Sequence, residues 1–200
     1  MADDRWLVVG LGNPGPGYAE HRHNVGQMAL DELASRIGAS FTRHKTNAAV
    51  AEGRLPTATS GPGGARLVLA KPGGFMNTSG GPVSQLMRFY SLTPDRLIVL
   101  HDELDIPFDT IRIKVGGGNG GHNGVRDIAS ALGTPDFVRV RIGIGRPPGR
   151  QDPADFVLSP FTKAERAALP SLLSDAADAA EQVIVEGLLP AQQRFHAPRG

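Results

Sequence analysis

The feature that most limits the fold is an alternation along the chain. Short runs of β-branched and apolar residues take turns with longer stretches whose apolar residues recur at helical spacing. Residues 5–10, with Leu7, Val8 and Val9, read as a first strand. In residues 24–37 the positions of Val25, Met28, Ala29, Leu33 and Ile37 describe one face of a helix, and Gly38 offers a stop. The pattern repeats. Further strands are predicted at 48–54, 65–70, 97–100, 110–115 and 137–144, and further helices at 83–90, 123–132 and 162–186. Pro170 is expected to break or kink the last helix early. Glycine- and proline-rich loops fall at 10–17, 71–81 and 116–121, with a turn at 60–64. Strands interleaved with helices imply an α/β fold: a single domain whose twisted sheet is covered by helices on both faces. The wholly apolar run from Leu97 to Leu100 belongs near the middle of that sheet. Ile111 and Ile113 alternate with Arg112 and Lys114, the mark of a half-buried strand, so the sheet should be mixed. The domain is expected to occupy residues 1–190, with 191–200 as a flexible tail.

Composition removes several chemistries. The chain has no cysteine, which excludes disulfides, a thiol nucleophile and zinc sites built on thiolates. The apolar run after the first five residues is too short for a signal peptide, and no run approaches a membrane span, so a cytoplasmic protein without a membrane partner is expected. A net charge of +1 is not that of a polycation, but its distribution is uneven. Arg112, Lys114, Arg126, Arg139, Arg141, Arg146 and Arg150 crowd residues 111–150, opposed only by Asp127 and Asp136. Acidic residues dominate the following forty positions. A basic segment beside an acidic one suggests a face aimed at an anion such as phosphate; ordinary surface charge is the plainer explanation.

Gly10-Leu11-Gly12-Asn13-Pro14-Gly15 fits the glycine pattern of a dinucleotide site. Gly15-Pro16-Gly17 forbids a helix start there, however, and Asp31 and Glu32 sit within a predicted helix rather than at the end of a second strand. More telling are four polar loops: Asn13 with Tyr18 and His23-Asn24; Phe75-Met76-Asn77; His101 to Asp105 after a buried strand; and Gly120 to Gly124, with His122 and Asn123, entering a helix. Loops at strand carboxyl ends are where α/β sheets collect ligands. A neutral histidine held by an aspartate can take a proton from water near neutral pH, and asparagine amides can donate to a developing oxyanion. No serine lies in a nucleophile elbow. His21-x-His23 and His101-Asp102 raise a metal hydrolase, but no recognised zinc-hydrolase pattern is present. Each residue also has a bland explanation: Asn13 shaping its turn, Asn123 capping a helix, Asp102 pairing with an arginine. His21, His44 and His196 read as solvent-facing.

At these residues the chain resembles the bacterial peptidyl-tRNA hydrolases. The stretches VVGLGNPGPGYAEHRHNVG, KPGGFMNTSG, HDELDIP, GGGNGGHNGVRDI and VRVRIGIGRP run in order from Val8 to Pro147. The resemblance implies one α/β catalytic domain, monomeric, needing no cofactor or metal. It implies cleavage of the ester between the peptide and the 3′ ribose of peptidyl-tRNA. His23 would be the catalytic base and Asp102 its carboxylate. Asn13, Tyr18, Phe75, Asn77 and Asn123 would contact substrate, with Met76 and His122 lining the same groove. Lys114, Arg141 and Arg150 would meet tRNA phosphates. Gly73-Gly74 and Asn119 depart from residues common at their positions. A non-catalytic RNA-binding module would share the basic strip but would have no use for His23 paired with Asp102.

Overall fold

A computed structural model describes residues 4–56 and 64–197. In chain order the elements are β1 (Trp6–Gly10), α1 (Val25–Arg36), β2 (Thr42–His44), β3 (Ala48–Leu55), β4 (Ala65–Pro72), α2 (Gly80–Phe89), β5 (Leu97–Glu103), β6 (Ile111–Val115), α3 (Asn123–Leu132), β7 (Val138–Gly143), α4 (Pro153–Val157), α5 (Lys163–Glu186) and α6 (Leu188–His196). The sheet runs β2-β3-β4-β1-β5-β7-β6. Its centre is parallel: β1 pairs with β4 and β5, and β5 with β7. Both margins are antiparallel, so the sheet is mixed as the alternating strands implied.

Side-chain alternation along β1 builds two cores. Val8 faces a cluster that includes Leu30 and Leu33 of α1 and Leu172, Ala176 and Ala180 of α5. Leu7 and Val9 face one that includes Leu86 of α2 and Val125 and Ile128 of α3. Burying a leucine this completely contributes roughly 1.5–3 kcal/mol. One close approach decides where the functional loops meet. A β-carbon at Gly26 would lie 2.2 Å from the carbonyl oxygen of Leu100, so only glycine lets α1 rest against β5. The start of α1 is thereby brought alongside the carboxyl end of that strand.

Several sequence expectations need correction. β5 continues through His101, Asp102 and Glu103, because its ladder with β7 holds to Glu103↔Gly143 after the apolar run has ended. α5 runs unbroken through Pro170; its continuous buried face, from Leu172 to Val183, outweighs the roughly 3 kcal/mol that an interior proline costs. The stretch after Pro190 is not frayed as far as Ala197. Residues 188–196 form α6, tied to the edge strand by Gln192 Nε2 donating to the Ile113 carbonyl and the Ile113 N–H donating to His196 Nε2. The short β2 and α4 gave no periodic signal. His21, His44 and His196 are half-buried rather than solvent-facing: His21 packs against Tyr18, and His44 bonds Thr46 and packs against Phe89. Most of the turn expected at 60–64 falls outside the described residues.

Candidate active site

Asp102 stands at the end of β5, 3% exposed, with both carboxylate oxygens engaged by imidazoles. His23 Nδ1 lies 2.8 Å from Oδ2, and His122 Nε2 lies 2.8 Å from Oδ1. The two histidines come from different elements, His23 from the 3-10 turn Arg22–Asn24 ahead of α1 and His122 from the N-cap of α3. The tautomer of His122 is fixed by its surroundings. Its Nδ1 accepts from the backbone N–H groups of Gly124 (3.2 Å) and Val125 (3.3 Å), so Nε2 carries the hydrogen and donates it to Asp102. For His23 the carboxylate selects Nδ1–H, which leaves the Nε2 lone pair for another partner.

Electrostatics follow from this arrangement. Burial alone would lower the pKa of His23, but the Asp102 charge and its hydrogen bond outweigh it, and the value is raised. Burial alone would raise the pKa of Asp102; His122 and His23 instead hold it well below the usual carboxylate range. A third imidazole, His101, lies directly behind. Burial, with His122 and Arg139 adding to it, lowers its pKa to about 3, so it is neutral; its Nδ1–H donates to the Asp102 carbonyl at 2.7 Å.

A cavity of about 360 Å³ opens in front of His23 and Asp102. Asn13, Phe75, Met76, Asn77, His122 and Asn123, all singled out in the sequence, line it. Asn13 is held in its first loop by Asn24, whose side chain bonds both its N–H and its carbonyl at 2.9 Å. The Met76 N–H donates to Asn13 Oδ1 at 2.8 Å, which turns the Asn13 NH₂ away as a donor. Asn123 Oδ1 accepts from Arg126, again leaving the NH₂ to donate. Phe75 is exposed at the rim, with Tyr18 edge-on against it at 5.9 Å but outside the lining.

The sequence had not singled out the apolar wall made by Pro153, Ala154, Val157 and Leu158 of α4 and its end, which lines the cavity together with Leu104 of the third loop. The one available signal was Asp152-Pro153, an N-cap followed by proline, which the structure uses to start α4. Arg22 was also missed. It is 4% exposed, stacks on Phe156 at 3.9 Å, and donates to the Phe156 carbonyl, to Ser159 Oγ and to Glu165 Oε1.

The basic segment divides. Arg139 is buried and donates to the carbonyls of Gly118 and Pro135, so it holds the glycine loop instead of facing an anion. Arg146 pairs with Asp105. Arg112, Lys114 and Arg141 are half-exposed on β6 and β7, and Lys114 donates to the Gly118 carbonyl. Arg150 is exposed beyond β7. None of these lines the cavity.

His23, Asp102 and His122 also offer three ligand atoms within 4.8 Å of one another. The set does not suit a metal, because the His122 nitrogen that would ligate is the one that must carry a hydrogen. The dinucleotide alternative fares no better: the Asn13 N–H is taken by Asn24, and α1 begins only at Val25.

The family model for peptidyl-tRNA hydrolase matches residues 7–200. The chain belongs to the peptidyl-tRNA hydrolase family. A family member from Leifsonia xyli subsp. xyli is 67% identical over 191 residues, 96% of this chain and 96% of that protein. One from Arthrobacter sp. (strain FB24) is 60% identical over 193 residues, 96% and 97% of the respective chains. A crystal structure of peptidyl-tRNA hydrolase from Acinetobacter baumannii superposes with a TM-score of 0.87 at 33% identity, covering 100% of this chain and 98% of that one. Membership makes the chain a hydrolase of peptidyl-tRNA, and the cavity beside His23 is where its polar groups converge. Among the described residues no helix is long and apolar enough to cross a membrane.

Proposed function

We propose that the enzyme releases the peptide by direct attack of water, with His23 as the general base. His23 Nε2 takes a proton from water as the oxygen adds to the ester carbonyl carbon. Asp102 stabilises the imidazolium and keeps Nδ1–H in place. The tetrahedral adduct collapses with cleavage of the bond to the ribose 3′ oxygen. The imidazolium returns its proton to that oxygen, and the second water proton leaves with ionisation of the new carboxyl group. The amides of Asn13, Asn77 and Asn123 donate to the carbonyl or the peptide backbone; being neutral, they stabilise the oxyanion without competing as nucleophiles. Tyr18, Phe75 and Met76 support the substrate at the rim and floor. Lys114, Arg141 and Arg150 meet tRNA phosphates, which position a nucleic acid without reading its sequence. In this reading the enzyme works as a cytoplasmic monomer with neither metal nor cofactor.

The observation that carries the mechanism is the 2.8 Å contact between His23 Nδ1 and Asp102 inside an amide-lined cavity. Replacing His23 with Ala should slow hydrolysis of purified peptidyl-tRNA by roughly 10²–10⁴-fold, with exhaustive chelation leaving the parent rate unchanged. Full activity of the variant would remove His23 from the role, and loss of activity in chelator would restore a metal.

A further inference from the structure

We infer that His122 is a positioning residue whose two ring nitrogens have separable tasks: Nε2–H grips one oxygen of Asp102 so that the other alone serves His23, and Nδ1 caps α3 so that Asn123 stands at the cavity. The inference rests on His23 being the base, and it gives a role to a side chain that lines the cavity yet has no atom left for substrate. Both nitrogens are committed to protein partners, and the side chain is 5% exposed. It is wedged between two other imidazoles, His23 at 5.0 Å between centroids and His101 at 4.8 Å.

The grip governs how the Asp102 charge is shared. Asp102 is 3% exposed with the His122 ring in place, and a water entering beside Oδ1 in its absence would not be held there as the capped ring is. Without the Nε2–H of His122, the negative charge is neutralised from one side only, the side of His23. The His23 imidazolium is then stabilised more strongly, and the base spends more of the neutral pH range protonated. The other ionisable groups nearby do not take over. On β5, His101 is neutral and spends its Nδ1–H on the Asp102 carbonyl, and Glu103 interacts with Arg141 and Asp105. On β7, Arg139 is bound to the glycine loop. A charge-assisted hydrogen bond of this kind corresponds to a rise of about one unit in the His23 midpoint.

The nitrogens can be separated with two amides. Asn places an acceptor where Nδ1 was, and it is a favoured N-cap, but it cannot reach Asp102. Gln places a donor where Nε2 was and forfeits the cap. The His23 midpoint is read by NMR of the ring nitrogens in the parent enzyme, His122→Asn and His122→Gln, beside kcat/KM–pH profiles and thermal melts. His122→Asn should raise the midpoint by about one unit and carry the acid limb of the rate profile with it, while Tm falls by no more than about 2 °C. His122→Gln should leave the midpoint within about 0.3 units and lower Tm by about 2–4 °C. An unmoved midpoint in His122→Asn, or an equal rise in both variants, overturns the proposal. The NMR midpoint needs no turnover. If His23 were not the base, the kinetic limb would fail to follow the NMR midpoint, while the midpoints themselves would still judge His122.

Discussion

Replacing Asp102 with Asn tests the site most severely, because His122 dictates how the new amide must sit. The carboxylate accepts from two N–H donors, His23 Nδ1–H and His122 Nε2–H, each at 2.8 Å. An asparagine has one acceptor and one donor. His122 cannot change tautomer to meet an NH₂ group, since its Nδ1 lone pair caps Gly124 and Val125. The amide oxygen therefore turns to His122 and the NH₂ to His23. His23 must then accept at Nδ1 and carry its hydrogen on Nε2, the nitrogen that should take a proton from water. The opposite orientation restores the productive tautomer but sets two buried donors against each other, at about 1–3 kcal/mol for each unmet group. The two unmet groups together cost roughly 2–6 kcal/mol, and the lost stabilisation of the imidazolium adds to that, so kcat should fall by roughly 10²–10⁴-fold at about 1.4 kcal/mol per factor of ten. KM should change little. Without the carboxylate, burial is the main remaining influence on His23, so the acid limb of the pH profile should move down while the plateau falls. Single-turnover rates on peptidyl-tRNA from about pH 5 to 9, with the ring tautomer read by NMR, provide the test. A kcat within tenfold of the parent, or a His23 that keeps Nδ1–H, would refute the reasoning.

Arg22→Ala should destabilise the fold by roughly 3 kcal/mol, because it removes a buried guanidinium stacked on Phe156 and leaves the partly buried Glu165 carboxylate without its cation, with only the Thr162 N–H still donating to it. It should also raise KM more than it lowers kcat, since the loosened α4 supplies part of the cavity wall; an unchanged melting temperature would contradict this. Lys114→Ala and Arg141→Ala should weaken tRNA binding and each reduce the salt slope by about one, with little effect on a short minimal substrate. Equal losses on both substrates would show that these cations act on the cavity and not on phosphate.

What the sequence made legible follows the range of its signals. Long periodic elements such as α1, α3 and α5 and the apolar strand β1 were readable because one buried face repeats often enough to be seen. β2 and α4, of three and five residues, are too short to show a period. β5 was cut short because the polar residues His101 and Asp102 end an apolar pattern without ending a hydrogen-bond ladder. At the site, the residues that face the cavity were mostly visible in the motifs. Of those that hold them, Asp102 and Asn24 stood in the same motifs, but the holding roles of Arg22, Arg139 and His122 were not visible. Arg139 counted as a free cation in the sequence, and its burial depends on the glycine loop folding back over β7. His122 appeared as a lining residue, and only its distances to Asp102 and to the start of α3 show both nitrogens occupied.

One short helical turn explains why these holding contacts concentrate around the base. Arg22, His23 and Asn24 form a single 3-10 turn. At three residues per turn, successive side chains point about 120° apart, so three neighbours in sequence reach three different parts of the molecule. Arg22 reaches α4 and Glu165 of α5, His23 reaches Asp102 at the end of β5, and Asn24 reaches the Asn13 loop, which in turn holds Met76. The apolar wall, the carboxylate and the amide-bearing loop are therefore all positioned from one turn. That turn is itself placed by the contact of Gly26 with Leu100. A shift of α1 would disturb all three together, and for that reason the geometry around His23 depends as much on the backbone approach beneath it as on the polar residues that face the substrate.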